Sequence, residues 1–173
     1  MGEDKATFEF HGKPLCERQV ALLKNVTSGQ IFVSARADPP WRPNDTIFVA
    51  DEAPSRGPLS GLAAVLRKTG STHLCAVAID LPWMSANYLK SLCHQITKGC
   101  GLVPMIGDRA EPLAAIYPVE TAIDFATALC GPDYSLQTVV KKLADSGKVA
   151  LLPVGTDEEH LFRNLNSPAD LWQ

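Results

Sequence analysis

Several charged or polar residues stand where short apolar runs stop, and their types suit phosphate and metal chemistry. The run Cys75-Ala76-Val77-Ala78-Ile79 ends on Asp80, with Pro82 two residues on. A carboxylate delivered to the rim of a sheet suits a hard cation such as Mg²⁺, which takes one or two carboxylates and completes its shell with substrate phosphates. The same aspartate could equally cap the next turn. Ile47-Phe48-Val49 ends on Ala50-Asp51, followed by Gly57-Pro58-Leu59-Ser60-Gly61. There Gly57 permits close backbone approach, Pro58 opens a helix and Gly61 keeps its first turn slim. The free N–H groups of such a helix start could face an anion, or the ribose and base edges of a nucleotide. An ordinary loop–helix junction shares that pattern.

Ile31-Phe32-Val33 ends at Ser34-Ala35-Arg36. Lys5, beside Asp4, could offset phosphate charge as a compact cation, or be a solvated surface lysine. Arg109 and Glu111 fall in Gly107-Asp108-Arg109-Ala110-Glu111-Pro112, which also reads as a hairpin tip. Asn164 and Asn166 share one face of an extended segment. Two amides so placed could donate to a ligand or help hold a metal. Ser167 and Pro168 after them read as the cap and first position of a short helix, whose positive end Asp170 favours.

These residues need elements to carry them. The short apolar runs predict buried strands over 31–33, 47–49 and 75–79. Leu15, Cys16, Val20 and Leu23 after Pro14 predict a helix with proline in its first turn. Leu59, Leu62, Ala63 and Leu66 predict another from Pro58, stopping by Gly70. Ser85 caps a predicted helix through Leu89, Leu92, Cys93 and Ile96, with Gly99 as its stop. Val119 to Cys130 carries an apolar stripe ending at Gly131-Pro132. Ser135 caps a last long helix closed by Gly147. Alternation of this kind predicts an α/β fold with a mostly parallel sheet. The Pro-rich stretch 38–43 is a surface loop too short to divide domains, so the reading is one domain over 1–173.

Bulk properties narrow the function classes. The chain has 173 residues, 46% of them hydrophobic and 20% charged, with mean hydropathy zero. Disorder, collagen and coiled coil are excluded. A net charge of −3 argues against a nucleic-acid coat. No apolar run approaches a membrane span, and no secretion signal is read at the N-terminus. The five cysteines show no CxxC spacing and the four histidines no HxxxH pair, which reads as reduced cytoplasmic thiols without a zinc site.

Together these segments resemble the molybdenum cofactor guanylyltransferases (the MobA type) of the nucleotidyltransferase superfamily. The resemblance rests on Gly2-Glu3-Asp4-Lys5-Ala6, His11-Gly12-Lys13-Pro14-Leu15, the 51–62 segment, Ala78-Ile79-Asp80-Leu81-Pro82, the 111–118 segment, and Asn164-Leu165-Asn166-Ser167-Pro168-Ala169-Asp170-Leu171. It covers essentially the whole chain. It implies a three-layer α/β/α Rossmann-like fold with a mixed, mostly parallel sheet, and GMP transfer from GTP to the phosphate of Mo-molybdopterin with release of pyrophosphate. Cytidylyl transfer, or a nucleotide- or partner-binding remnant, is the alternative. By resemblance, Lys5 contacts GTP phosphates and Asp80 binds Mg²⁺ and GTP. Asp51 and Gly57 sit on the nucleotide side, where Ser34 stands at a position for which the family offers asparagine. Arg109, Asn164 and Asn166 line the acceptor side. Implied partners are GTP, Mo-molybdopterin and molybdoenzyme chaperones or other cofactor-synthesis proteins, in the cytoplasm, with no nucleic acid and no membrane.

The family's signature begins with a buried strand and a Gly-rich loop, of which this sequence shows only Met1-Gly2. The expectation is an N-terminally truncated fold with two unpaired strand edges, weak in triphosphate binding, and an upstream start with Met1 internal to the loop.

Overall fold

The computed structural model describes residues 4–165. A single 3₁₀ turn, Lys5–Thr7, is capped by the Asp4 carboxylate, which accepts from the Ala6 N–H at 3.1 Å. Strands β1 (Glu9–Phe10) and β2 (Lys13–Pro14) pair antiparallel across His11 and Gly12. Both turn residues have positive φ, 50° and 73°, the conformation that tight two-residue hairpins require. Helix α1 (Leu15–Val26) starts directly on Pro14. Strands β3 (Phe32–Ala35) and β4 (Ile47–Ala50) follow and pair parallel, Ser34 opposite Val49.

Helix α2 (Pro58–Lys68) opens on Gly57 at φ 68°, with Pro58 in its first turn, and buries Leu59 through Leu66 without interruption. Strand β5 (His73–Val77) leads to α3 (Ala86–Gln95), whose start is capped by the Ser85 hydroxyl accepting from the Tyr88 N–H. Strands β6 (Gly101–Ile106), β7 (Arg109–Ala110) and β8 (Ala114–Pro118) come next. Helix α4 (Ala122–Cys130) is entered through the 3₁₀ turn Val119–Thr121. Helix α5 (Leu136–Asp145), β9 (Val149–Pro153) and the 3₁₀ turn Glu159–Phe162 complete the described chain.

The main sheet is mixed. Strand β8 lies antiparallel between β5 and β6, β7 hairpins onto β6, and β9 runs parallel to β6. Alternation along β8 sorts its side chains. Ala115 and Tyr117 pack with α2, α4 and α5, while Ala114 and Ile116 pack with α3. Helices on both faces give the three layers expected from the resemblance.

Several features differ from the sequence-level expectation. Three of the four described main-sheet pairings are antiparallel rather than mostly parallel, because β8 enters between β5 and β6 against their direction and β7 hairpins onto β6. The β1–β2 hairpin was not predicted, because two-residue strands carry no periodicity. Strand β5 is shifted toward its N-terminus, since its ladder with β8 begins at His73 opposite Pro118. Asp80 therefore stands three residues beyond the strand, in the turn that follows it.

The β3–β4 pair makes no strand ladder with the main sheet among the described residues. Residues 30–37 and 73–80 instead face a common cleft of about 1060 Å³, floored by α1 and α2. Helix α2 bridges the two parts. Its Ala64 and Val65 pack with Val49, Phe32 and Ile47 of the small pair and with Leu74 of β5.

Candidate active site

The Asp80 turn is held from three sides. Gln19, buried on α1, donates its amide to the carbonyls of Ala78 (3.0 Å) and Leu81 (2.8 Å). Arg18 donates Nε to the Pro82 carbonyl at 2.5 Å. The Leu165 N–H donates to the Asp80 carbonyl at 2.9 Å, so the end of the described chain is anchored on the backbone of the very residue that carries the carboxylate. With its main chain fixed, the Asp80 carboxylate opens into the cleft.

Lys5 meets it there, Nζ lying 3.7 Å from Oδ2. Their side chains are 40% and 26% exposed, so water screens the pair and its net worth is about 0–1 kcal/mol. A contact that weak gives way at little cost when phosphate or metal offers each partner a stronger one.

Asp51 lies on the other side of the cleft. Its Oδ1 accepts from the Ser34 hydroxyl at 2.9 Å and its Oδ2 from the Ser55 hydroxyl at 3.0 Å. Each carboxylate oxygen keeps further acceptor capacity. The first turn of α2 presses close behind them: a Cβ on Gly61 would stand 2.2 Å from Ser34 Oγ and 3.3 Å from Asp51 Oδ1. A side chain at this position would have to displace the Ser34 hydroxyl. The loop into α2 is fixed by Ser60, whose buried hydroxyl accepts from the Arg56 N–H at 2.8 Å.

The structure thus gathers Asp80, Asp51, Ser34 and Gly57 on one cleft, with Lys5 reaching Asp80. Arg109 is exposed on β7 and is not among the cleft-lining residues. Its strand is braced by Gln137 of α5, whose side-chain amide exchanges two hydrogen bonds with the Ala110 backbone at 3.1 and 2.8 Å. Next to it, burial pushes the Glu111 carboxyl above the usual range, with Arg109 opposing. Asn164 is exposed, one residue before the Leu165 anchor on Asp80. Asn166 and the Ser167-Pro168 cap lie outside the described residues.

Cys75, on the cleft wall, is a hydrophobe rather than a nucleophile: burial pushes its thiol up to about 12. No three His, Cys, Asp or Glu side chains converge among the described residues. A lone carboxylate such as Asp80 suits a cation shared with substrate phosphates rather than a closed protein cage.

Sequence reasoning missed Gln19, Trp41, Asp4 and Ser55. Gln19 left one trace, a polar residue amid Cys16, Val20 and Leu23 on the apolar face of α1. Trp41 donates its indole N–H to Asp4 at 2.7 Å, a partnership 37 residues apart that no local spacing reveals.

A carboxylate and an ammonium thus lie at one side of the cleft, with a second pinned carboxylate and a helix start at the other. Residues 1–149 match the MobA-like NTP transferase domain, and the chain belongs to that family. A curated protein of Opitutus terrae named "Probable molybdenum cofactor guanylyltransferase" is 30% identical over 173 residues, covering 98% of this chain and 86% of its own. Among solved structures, molybdopterin-guanine dinucleotide biosynthesis protein A from Archaeoglobus fulgidus superposes with a TM-score of 0.74 at 22% identity, over 99% of this chain and 88% of that one. The 2-C-methyl-D-erythritol 4-phosphate cytidylyltransferase from Thermus thermophilus gives 0.70 at 17% identity, over 97% and 90%. These two likenesses are of fold. No helix among the described residues is long and apolar enough to cross a membrane.

Proposed function

We propose that this chain, as one domain over 1–173, transfers GMP from GTP to the terminal phosphate of Mo-molybdopterin. An acceptor phosphate oxygen attacks the α-phosphorus, the bond from that phosphorus to the bridging α–β oxygen breaks, and pyrophosphate leaves with the electron pair. The observation that carries this reading is the Lys5–Asp80 pair, 3.7 Å apart on the cleft that also holds Asp51.

Asp80 would hold Mg²⁺, which when bound supplies positive charge against the triphosphate. Lys5 stabilises negative charge building on the phosphates, a task its compact ammonium suits. Asp51, fixed by Ser34 and Ser55, has acceptor sites left for a base that presents adjacent N–H donors, as guanine does with N1–H and its exocyclic amine. Gly57 lets the α2 start come close to the nucleotide. Asn164 stands beside the Asp80 turn on the acceptor side. Arg109 on its braced hairpin would serve the acceptor at longer reach, and Asn166 is assigned to the acceptor as well. GTP is drawn from the cytoplasm, and the product passes from there to molybdoenzyme chaperones.

The test is pyrophosphate release from purified protein with Mg²⁺, Mo-molybdopterin and either GTP or CTP. The expected outcome is turnover with GTP well above CTP. Asp80→Asn should lower it at least 100-fold while the melting temperature stays within about 3 °C, since the side chain is partly exposed and makes one screened pair. Turnover retained in that variant refutes the metal role of Asp80, and a preference for CTP refutes the guanylyl assignment.

A further inference from the structure

The loop between β3 and β4 is closed on itself by Arg42. Its guanidinium donates to both oxygens of Asp38, at 2.6 and 2.9 Å, and to the Thr46 carbonyl at 2.7 Å. Pro39, Pro40 and Pro43 stiffen the same stretch. A loop built this way is a rigid arm, and Trp41 is at its tip, half-buried on the cleft.

The indole N–H of Trp41 donates to Asp4 Oδ2 at 2.7 Å. The other oxygen of that carboxylate caps the 3₁₀ turn that begins with Lys5. A three-residue turn holds its own geometry weakly. Buried Ala6 seats the turn beside α1, and the arm adds a grip on its capping carboxylate from outside. Three residues in series, Trp41, Asp4 and Lys5, thus link the nucleotide side of the cleft to the Asp80 side.

We propose that Trp41 is a positioning residue for the Lys5 ammonium, acting through the Asp4 carboxylate. Its purpose rests on the nucleotidyl-transfer reading above, and its geometry does not. Trp41→Phe keeps the ring and removes the N–H. Asp4→Asn keeps one oxygen for Ala6 and offers the indole no second acceptor.

The experiment is NMR on protein labelled at lysine and tryptophan, with Mg–GTP calorimetry beside it. Either substitution should move the Lys5 side-chain resonance, and the double variant should move it no further. The Trp41 indole N–H should exchange with water faster in Asp4→Asn. Trp41→Phe should weaken Mg–GTP binding about 3- to 10-fold, the scale of one hydrogen bond, and add nothing once Lys5→Met is in place.

An unmoved Lys5 resonance in both variants overturns the proposal. So does an equal affinity loss in the Lys5 and Lys5→Met backgrounds, which would put Trp41 on the nucleotide itself. Should wild-type protein bind no Mg–GTP, the nucleotide reading fails and the Lys5 resonance alone decides the positioning. Should Trp41→Phe not fold, Asp4→Asn carries the same comparison.

Discussion

Gly61 joins a packing constraint to a chemical one. A Cβ there meets Ser34 Oγ first, at 2.2 Å, and that hydroxyl is the one donating to Asp51. In Gly61→Ala the short serine side chain can rotate away, so the cost in stability is a few degrees of melting temperature. The Ser34–Asp51 hydrogen bond should be lost with it. Adding Ser34→Gly should recover the melting temperature without recovering Mg–GTP affinity, measured by thermal melts and calorimetry on the same samples. Equal recovery of both would show that the hydroxyl does not serve Asp51. At this scale the strand-end logic of the sequence found Asp80, Asp51, Ser34 and Gly57, because residues just past apolar runs are delivered together to one rim. It could not find Gln19 or Trp41, whose partners lie 59 to 62 and 37 residues away.

Helix α1 shows how an element can serve a site it does not line with charge. Gln19 satisfies two carbonyls of the Asp80 turn from a buried position. Gln19→Leu fills similar space but removes the donor to the Ala78 carbonyl, at about 1–3 kcal/mol for an acceptor left unsatisfied, while the Leu81 carbonyl keeps the Met84 N–H at 3.2 Å. Denaturant melts should show that loss together with raised flexibility at residues 78–82. The β3–β4 loop should respond to acid. The Arg42 hydrogen bonds hold the Asp38 carboxyl below its ordinary value of 3.8. A depressed carboxylate contributes its clamp above the unfolded value, and loses it as pH falls through the lowered folded value. The loop should therefore stay closed at neutral pH and open only below about 3.8, followed by Trp41 fluorescence. Helix starts were legible in the sequence where chemistry marks them, as at Ser85 and Pro58. Ser135 precedes α5 as expected, yet its side chain makes no cap bond. Asp133 receives the Ser135 N–H instead. The β1–β2 hairpin stayed hidden because its turn depends on the backbone of His11 and Gly12 rather than on any pattern.

Across the molecule, three described links stand out between the β3–β4 pair and the rest. They are the packing of α2, the Trp41–Asp4 hydrogen bond and the Lys24–Asp45 ion pair, which is largely exposed. The main sheet, by contrast, is laddered from β5 through β8 and β6 to β9. Amides of β3 and β4 should exchange with solvent through an opening of lower free energy than those of β6 and β8. Mass-spectrometric hydrogen exchange at several denaturant concentrations checks this, and a single shared opening energy would contradict it. The split is also a mechanical fact. Where neighbouring strands are hydrogen-bonded, their separation is set at about 4.8 Å by the ladder. No described strand ladder sets the spacing between Asp51 and Asp80; the packing of α2 and the Trp41–Asp4 hydrogen bond are described contacts that bear on it.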